Sequence, residues 1–303
     1  MKILLRITIA VAVVVLGMVG AKIGYYEYTH RDGYSSVTVP ANKITAVQST
    51  EYKTKPPETV ATTAITTTAA PTTESANPTL PEITAESINI IENPIGSPVG
   101  STVEKPDLSN SVFIGDSVSL GYSRYCAKKG LMPDTVFLTA GSYSVRNALS
   151  NNLSSNKGYR HPMYKGKETP VTKAVKDIQP DNVFICLGIN DIAISGVDGT
   201  VENYCKLISK IRNEVPDSTI YVVSTTFLVS QAQKQKLNNQ NLANLNHNMK
   251  KICEETDKLE YIDIMSALQD ENNALKAEYC SDEYIHQTDA AYAVWAQRLG
   301  ATQ

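Results

Sequence analysis

Residues 111–123 read SVFIGDSVSLGYS, and this stretch decides the fold because an apolar run passes directly into a polar turn. Four more short apolar runs follow along the chain, at residues 136–138, 183–187, 220–223 and 261–264. Amphipathic segments separate most of these runs. Such alternation is typical of a parallel sheet covered by helices on both faces. The sequence therefore predicts one folded α/β domain over residues 109–303.

Glycine and polar residues follow several of the predicted strands directly. Gly115-Asp116-Ser117 comes after the first strand and Gly141 after the second. Residues 188–191 come after the third, and residues 282–286 lie near the end of the chain. In an open α/β sheet the loops at the carboxyl ends of the strands form an accessible edge. We expect these four segments to meet there.

These segments hold the parts that hydrolysis by a serine hydroxyl requires. Such a hydroxyl is a poor nucleophile at neutral pH unless a neighbouring base takes its proton, and the oxyanion that develops needs hydrogen-bond donors. Ser117 follows a strand and opens a predicted helix, where the first amides lack partners within the helix. Gly141 offers an unobstructed N–H, and Asn190 offers a side-chain amide. Asp191 is expected to form only a turn.

Four blocks in this order resemble the SGNH/GDSL hydrolase superfamily. They are SVFIGDSVSLGYS, the region around Gly141, CLGINDIA at 186–193 and SDEYIHQTDAAYAVWA at 281–296. The resemblance implies a three-layer α/β/α sandwich around a mostly parallel five-stranded sheet of flavodoxin-like type. It implies that Ser117 is the nucleophile, that its own N–H joins Gly141 and Asn190 in an oxyanion hole, and that His286 is the general base. No metal or organic cofactor is implied.

The third member of the implied triad is left open between two carboxylates. The family usually has an Asp three residues before the His, but Glu283 holds that position here, and Asp282 lies four residues before His286. Either carboxylate can accept a hydrogen bond from the imidazole. We favour Asp282, with one extra residue in the turn, and keep Glu283 as the alternate.

A polar insert at residues 151–170 reads NNLSSNKGYRHPMYKGKETP. Its aromatic faces suit sugar rings and its cations suit carboxylates, so Tyr159, Arg160 and Tyr164 are candidate substrate-binding residues, with His161 and Lys165 beside them. The alternative is a solvated loop without a role in binding.

The amino end has the pattern of an exported chain. Lys2 and Arg6 precede an uncharged stretch at residues 7–21. We expect residues 1–34 to be a short cytoplasmic end with a retained signal anchor, which would place the domain outside the cytoplasm. A cleaved signal peptide, and hence a secreted protein, is the alternative. Residues 35–108 are rich in Thr, Pro, Ala and Ser and predict a disordered extracytoplasmic spacer.

Several classes of protein are disfavoured by the sequence. The net charge of −3 argues against nucleic-acid binding. The five cysteines show no C-x-x-C spacing, and His30, His161 and His247 show no metal-binding spacing. There is no G-x-S-x-G elbow and no phosphate-binding loop. No protein partner follows from the sequence.

The sequence thus favours an extracytoplasmic esterase that removes acetyl or another short acyl group from a cell-envelope or extracellular polysaccharide. Export and the spacer suggest the glycan, whereas the motifs concern only the ester. A surface-displayed carbohydrate-binding module that has lost turnover is one alternative. An acyltransferase that uses the same residues is another.

Overall fold

The structure is a computed structural model that describes residue 95 and residues 99–153 and 160–301. The predicted signal segment, most of the predicted spacer and Tyr159 lie outside these residues. In the described part of the chain, no helix combines the length and the apolar character needed to cross a bilayer.

Five strands alternate with helices along the chain. The strands are β1 Ser111–Gly115, β2 Thr135–Thr139, β3 Asn182–Cys186, β4 Thr219–Val223 and β5 Leu259–Ile262. The helices are α1 Ser117–Lys129, α2 Val145–Leu149, α3 Val171–Ile178, α4 Ile189–Glu214, α5 Asn239–Glu254, α6 Met265–Leu268 and α7 Asp289–Arg298. A short antiparallel hairpin pairs Met163–Tyr164 with Lys167–Glu168 inside the polar insert.

All five strands form one parallel sheet in the order β2-β1-β3-β4-β5. This is the flavodoxin-like order, in which the direction of strand progression reverses between β1 and β3. The predicted α/β fold with a five-stranded, mostly parallel sheet is therefore confirmed. The reversal leaves a crevice beyond the carboxyl ends of β1 and β3, and these two strands lead to Ser117 and Asn190.

Alternate side chains of the strands enter two different cores. In β1, Val112 and Ile114 face the core that α3, α4 and α5 cover, whereas Phe113 faces the core under α1 and α7. The rings of Phe113 and Phe184 lie 5.9 Å apart, and those of Phe184 and Tyr221 lie 4.6 Å apart. Since β1 is buried on both faces, its sequence is a continuous apolar run and not an alternating one.

A segment that precedes residue 109 also contacts the sheet. Residues 99–108, here called the edge strap, lie along β5, although the predicted spacer extends to residue 108. Thr102 N–H donates to the Tyr261 carbonyl at 2.9 Å, and Tyr261 N–H donates to Thr102 Oγ1 at 2.7 Å. Gly100 N–H donates to Asp263 Oδ2 at 2.9 Å. The strap thus satisfies polar groups of an edge strand that would otherwise be exposed.

Candidate active site

Ser117 is held at the junction of β1 and α1 by close packing of the backbone. A Cβ atom built on Gly115 would lie 2.2 Å from Ser119 Cβ, so only glycine allows the strand to approach the helix this closely. Asp116 caps α1, accepting hydrogen bonds from Val118 N–H at 2.9 Å and Ser119 N–H at 3.4 Å. The hydroxyl of Ser117 is thereby presented at the carboxyl edge of the sheet.

Ser117, His286 and Asp282 form a continuous chain of hydrogen bonds. Ser117 Oγ lies 3.0 Å from His286 Nε2, and His286 Nδ1 lies 2.5 Å from Asp282 Oδ2. Because the carboxylate of Asp282 only accepts, His286 Nδ1 carries the proton of that bond. With one proton on the neutral ring, Nε2 then has a lone pair directed at the Ser117 hydroxyl.

Asp282, and not Glu283, is the carboxylate in contact with His286. Its Oδ1 also accepts from the backbone N–H groups of Tyr284, Ile285 and His286, at 2.9, 3.0 and 3.1 Å. Glu283 is exposed, and its backbone has a positive φ of 58°. The extra residue in the turn is thus accommodated by a left-handed conformation at Glu283.

The environment of Asp282 favours its ionised form. Partial burial raises the pKa of this carboxyl, but the hydrogen bonds from the His286 imidazole and the Tyr284 amide outweigh that cost and bring the pKa below its ordinary value. Asp282 is therefore ionised at neutral pH and can stabilise a positive charge on His286.

The three donors predicted for an oxyanion hole are the N–H groups of Ser117 and Gly141 and the side chain of Asn190. The N–H groups of Ser117 and Gly141 donate to no acceptor among the described residues. Asn190 Nδ2 donates to the Tyr143 carbonyl at 3.0 Å, which leaves its second hydrogen for a ligand. A Cβ atom built on Gly188 would lie 2.6 Å from Leu245 Cδ2, so this glycine lets the chain reach Asn190.

Asp191 has a role that the sequence did not reveal. It is not merely a turn residue, because its buried carboxylate accepts from Val145 N–H at 2.9 Å and from Arg146 N–H at 3.1 Å. These are the first amides of α2, which follows the loop that carries Gly141. Asp191 and Asn190 together fasten that loop to the end of β3. The predicted alternation of strands and helices carries no signal for this contact.

The polar insert is divided between two places in the fold. His161 is fully buried, with Nδ1 3.1 Å from the Tyr143 hydroxyl, and burial lowers its pKa. Arg160 beside it is exposed. Tyr164 and Lys165 both donate to Asp177 Oδ2, at 2.8 and 2.6 Å.

Asp177 lies in the last turn of α3, close to where β3 starts, at the sheet edge opposite Ser117. The structure therefore does not bring Tyr164 to the Ser117 site. Of the three candidate substrate-binding residues, Tyr159 lies outside the described residues and Tyr164 lies at the far edge, whereas Arg160 is described and exposed.

Comparisons with known proteins agree with this geometry. A family model described as the GDSL-like lipase/acylhydrolase family matches residues 113–294, more than half of the chain. No curated protein sequence matches this chain.

Solved structures with a similar fold include three hydrolases at low sequence identity. A Bacteroides fragilis protein assigned as an acylhydrolase is 18% identical, with 66% of this chain and 89% of that chain covered and a TM-score of 0.48. A GDSL-like lipase from Bacteroides thetaiotaomicron is 14% identical, with 65% of this chain and 90% of that chain covered and a TM-score of 0.45. A carbohydrate esterase of family 3 from Talaromyces cellulolyticus is 13% identical, with 63% of this chain and 94% of that chain covered and a TM-score of 0.44. From the family match, the chain belongs to the GDSL-like lipase/acylhydrolase family and is an ester-bond hydrolase.

Proposed function

We propose that this protein is a serine esterase that hydrolyses an acetyl or short acyl ester through a covalent intermediate on Ser117. The observation that carries the proposal is the hydrogen-bond chain from Ser117 Oγ through His286 to Asp282, with distances of 3.0 and 2.5 Å. The nucleophile contacts the base, and the base contacts the group that orients it, as this chemistry requires.

In the first half of the reaction, Ser117 Oγ attacks the ester carbonyl carbon while His286 Nε2 takes the hydroxyl proton. Asp282 stabilises the imidazolium that forms. The oxyanion accepts hydrogen bonds from Ser117 N–H, Gly141 N–H and the Asn190 side chain. The carbon–oxygen bond to the alcohol then breaks, and His286 gives its proton to the departing oxygen.

In the second half, water replaces the alcohol. His286 takes a proton from the water while the water oxygen attacks the acyl carbon. The same three donors again hydrogen-bond the oxyanion of the tetrahedral intermediate. When the intermediate collapses, the bond between the acyl carbon and Ser117 Oγ breaks, His286 returns the proton to Oγ, and the carboxylic acid is released. No cofactor is needed at any step.

We propose an acylated polysaccharide outside the cytoplasm as the substrate. The predicted export segment and the Thr- and Pro-rich spacer support this location, since together they would hold the domain at a distance from the membrane. Arg160, which is exposed, is the candidate contact for an acidic sugar.

The test is hydrolysis of an aryl acetate by the full-length protein beside Ser117→Ala. We expect the variant to lose at least about 10³-fold in kcat because the nucleophile is gone. A variant as active as the wild type would overturn the proposal. A surface-displayed binding module would show no turnover but would retain glycan binding in Ser117→Ala. An acyltransferase would form an acylated sugar when an acceptor sugar is added.

The same assay separates the two candidate carboxylates. Asp282→Asn keeps an oxygen for the backbone amides but offers an uncharged partner to the imidazole, so we expect kcat to fall by about 10³-fold to 10⁴-fold. Glu283→Gln removes the charge of an exposed side chain, and we expect kcat within about twofold of the wild type. Equal losses in the two variants would mean that Asp282 does not act as the orienting group.

A further inference from the structure

Next to His286 lies a buried amide for which the reaction above has no use. Gln287 is only 6% exposed, and both ends of its side chain are hydrogen-bonded. Its Nε2 donates to Thr226 Oγ1 at 2.9 Å, and its Oε1 accepts from Trp295 Nε1 at 2.8 Å. The orientation of the amide is fixed, because an indole N–H can only donate and so must face the oxygen of Gln287.

These two bonds join three separate elements. Thr226 lies three residues beyond β4, Trp295 lies in α7, and Gln287 belongs to the loop that presents His286. Thr226 and Trp295 are themselves 3% and 0% exposed, so both anchors are in the interior. In a buried setting each such bond is costly to leave unmade, because a group without a partner has also lost its water. The amide therefore has one strongly favoured position.

The backbone around Gln287 transmits that position to His286. Residues 280 and 287 form an antiparallel bridge, and Ser281 N–H donates to the His286 carbonyl at 2.8 Å. In such extended pairs successive side chains point to opposite sides. While Gln287 points inward to Thr226 and Trp295, His286 points outward to Ser117. Anchoring one side chain thus sets the place from which the other projects.

We propose that Gln287 is a positioning residue that, through Thr226 and Trp295, holds the imidazole of His286 between Ser117 and Asp282. The proposal rests on the esterase function given above. A displaced base still allows substrate to bind, because binding does not depend on proton transfer. Loss of the anchor therefore lowers kcat and leaves KM nearly unchanged.

The kinetic experiment uses Gln287→Met in the full-length protein. Methionine has a similar length but makes neither hydrogen bond, and we expect kcat to fall on the order of tenfold to a hundredfold with KM within about twofold. The matched control is Asn182→Leu, which removes another buried amide, 4% exposed, at the opposite edge of the sheet. The control should lower stability without lowering kcat. If kcat is unchanged in Gln287→Met, or falls equally in the control, the proposal is overturned.

Thr226 provides a second and gentler disturbance of the same anchor. Thr226→Val removes the hydroxyl at nearly constant shape, and Thr226→Ser restores it. We expect a partial loss of kcat in the first variant and recovery of most of that rate in the second. The double variant with Gln287→Met should be no slower than Gln287→Met alone, because both changes break the same contact. Fully multiplicative losses would contradict the proposed linkage.

Two spectroscopic readouts do not depend on turnover. The chain has a single tryptophan, so its emission reports Trp295 alone and should move to shorter wavelength when Gln287→Met removes the acceptor of its N–H. The proton between His286 Nδ1 and Asp282 should give a far-downfield proton NMR signal in the wild type, weakened in Gln287→Met but not in Asn182→Leu. An unchanged signal in Gln287→Met would overturn the positioning role.

These readouts separate failure of the inference from failure of the function. Should the wild type hydrolyse no ester, the esterase proposal fails, but the NMR signal still decides whether Gln287 holds His286. Should the wild type hydrolyse esters and Gln287→Met match it, only the inference fails.

Discussion

Two carboxyl groups near Ser117 have opposite environments. Burial of Asp116 raises its pKa to about 6, even though the amides of Val118 and Ser119 act in the other direction. The pKa of Asp282 lies below its ordinary value, because hydrogen bonds from His286 and Tyr284 outweigh its partial burial. At neutral pH Asp282 is ready to pair with an imidazolium, whereas Asp116 serves to cap α1 and carries a charge that burial disfavours.

The raised pKa of Asp116 makes the stability of the protein depend on pH. An unfolded Asp has a pKa near 4, so the folded chain holds this proton more tightly. The contribution of this proton to the free energy of unfolding is fully present below about pH 4 and is lost as the pH rises through about 6. Asp116→Asn keeps the capping oxygen without the charge. Relative to the wild type, the variant should gain on the order of 3 kcal/mol in free energy of unfolding between about pH 4 and pH 7.

Urea unfolding of both proteins across this pH range checks the expectation. Because other groups titrate in both proteins, only the difference between the two curves reports Asp116. Curves that run parallel from pH 4 to pH 7 would mean that Asp116 has the same pKa folded and unfolded.

Sequence reasoning found the residues whose chemistry is peculiar to the site and missed those that only hold it together. Ser117 and Asn190 follow strands, His286 precedes the last helix, and all three carry groups that hydrolysis needs, so motif and position identified them together. Asp191 acts through α2, and Gln287 acts in part through Thr226, which lies 61 residues earlier. Asp191 meets α2 about 45 residues away, and no local pattern encodes such a meeting.

At the level of elements, α5 stabilises the segment after β4 with side-chain amides. Asn246 Oδ1 accepts from Thr225 N–H at 2.8 Å, and its Nδ2 donates to the Thr225 carbonyl at 2.8 Å. Asn239, seven residues earlier and so on the same helix face, makes the same pair of bonds with Leu228, both at 2.9 Å. Each side-chain amide thus bonds both the N–H and the carbonyl of one residue, as a neighbouring strand would do in a sheet.

Loss of one of these amides should be costly. Asn246→Ala leaves a buried N–H and a buried carbonyl of Thr225 without partners, and we expect the free energy of unfolding to fall by about 2–4 kcal/mol. The control is His247→Ala on the same helix, a partly exposed position where we expect a change within about 0.5 kcal/mol. Denaturant unfolding measures both. Equal effects in the two variants would show that the Asn246 bonds add nothing.

For the molecule as a whole, the sheet could be predicted from the sequence, whereas the contacts of the edge strap could not. The five apolar runs sufficed for the strands, because strands buried on both faces must be apolar throughout. The edge strap follows a different rule. Its contacts with β5 are mostly backbone and hydroxyl hydrogen bonds, such as those of Gly100 and Thr102. A composition rich in Ser, Thr and Pro looks the same whether such bonds form or not.

The strap should therefore be part of the cooperative unit of the domain. A chain of residues 109–303 exposes the edge of β5. It also lacks the apolar packing of Val99, which is 5% exposed in the fold. Compared with residues 99–303, we expect its free energy of unfolding to be lower by on the order of 3–5 kcal/mol. We also expect it to self-associate, because an unpaired edge strand can pair with a second copy. In the longer chain, Thr102→Ala leaves Tyr261 N–H without its hydroxyl partner and should cost about 1–2 kcal/mol. Urea unfolding and sedimentation measure these effects; if both fragments unfold at the same urea concentration as monomers, the strap only rests on the surface of the domain.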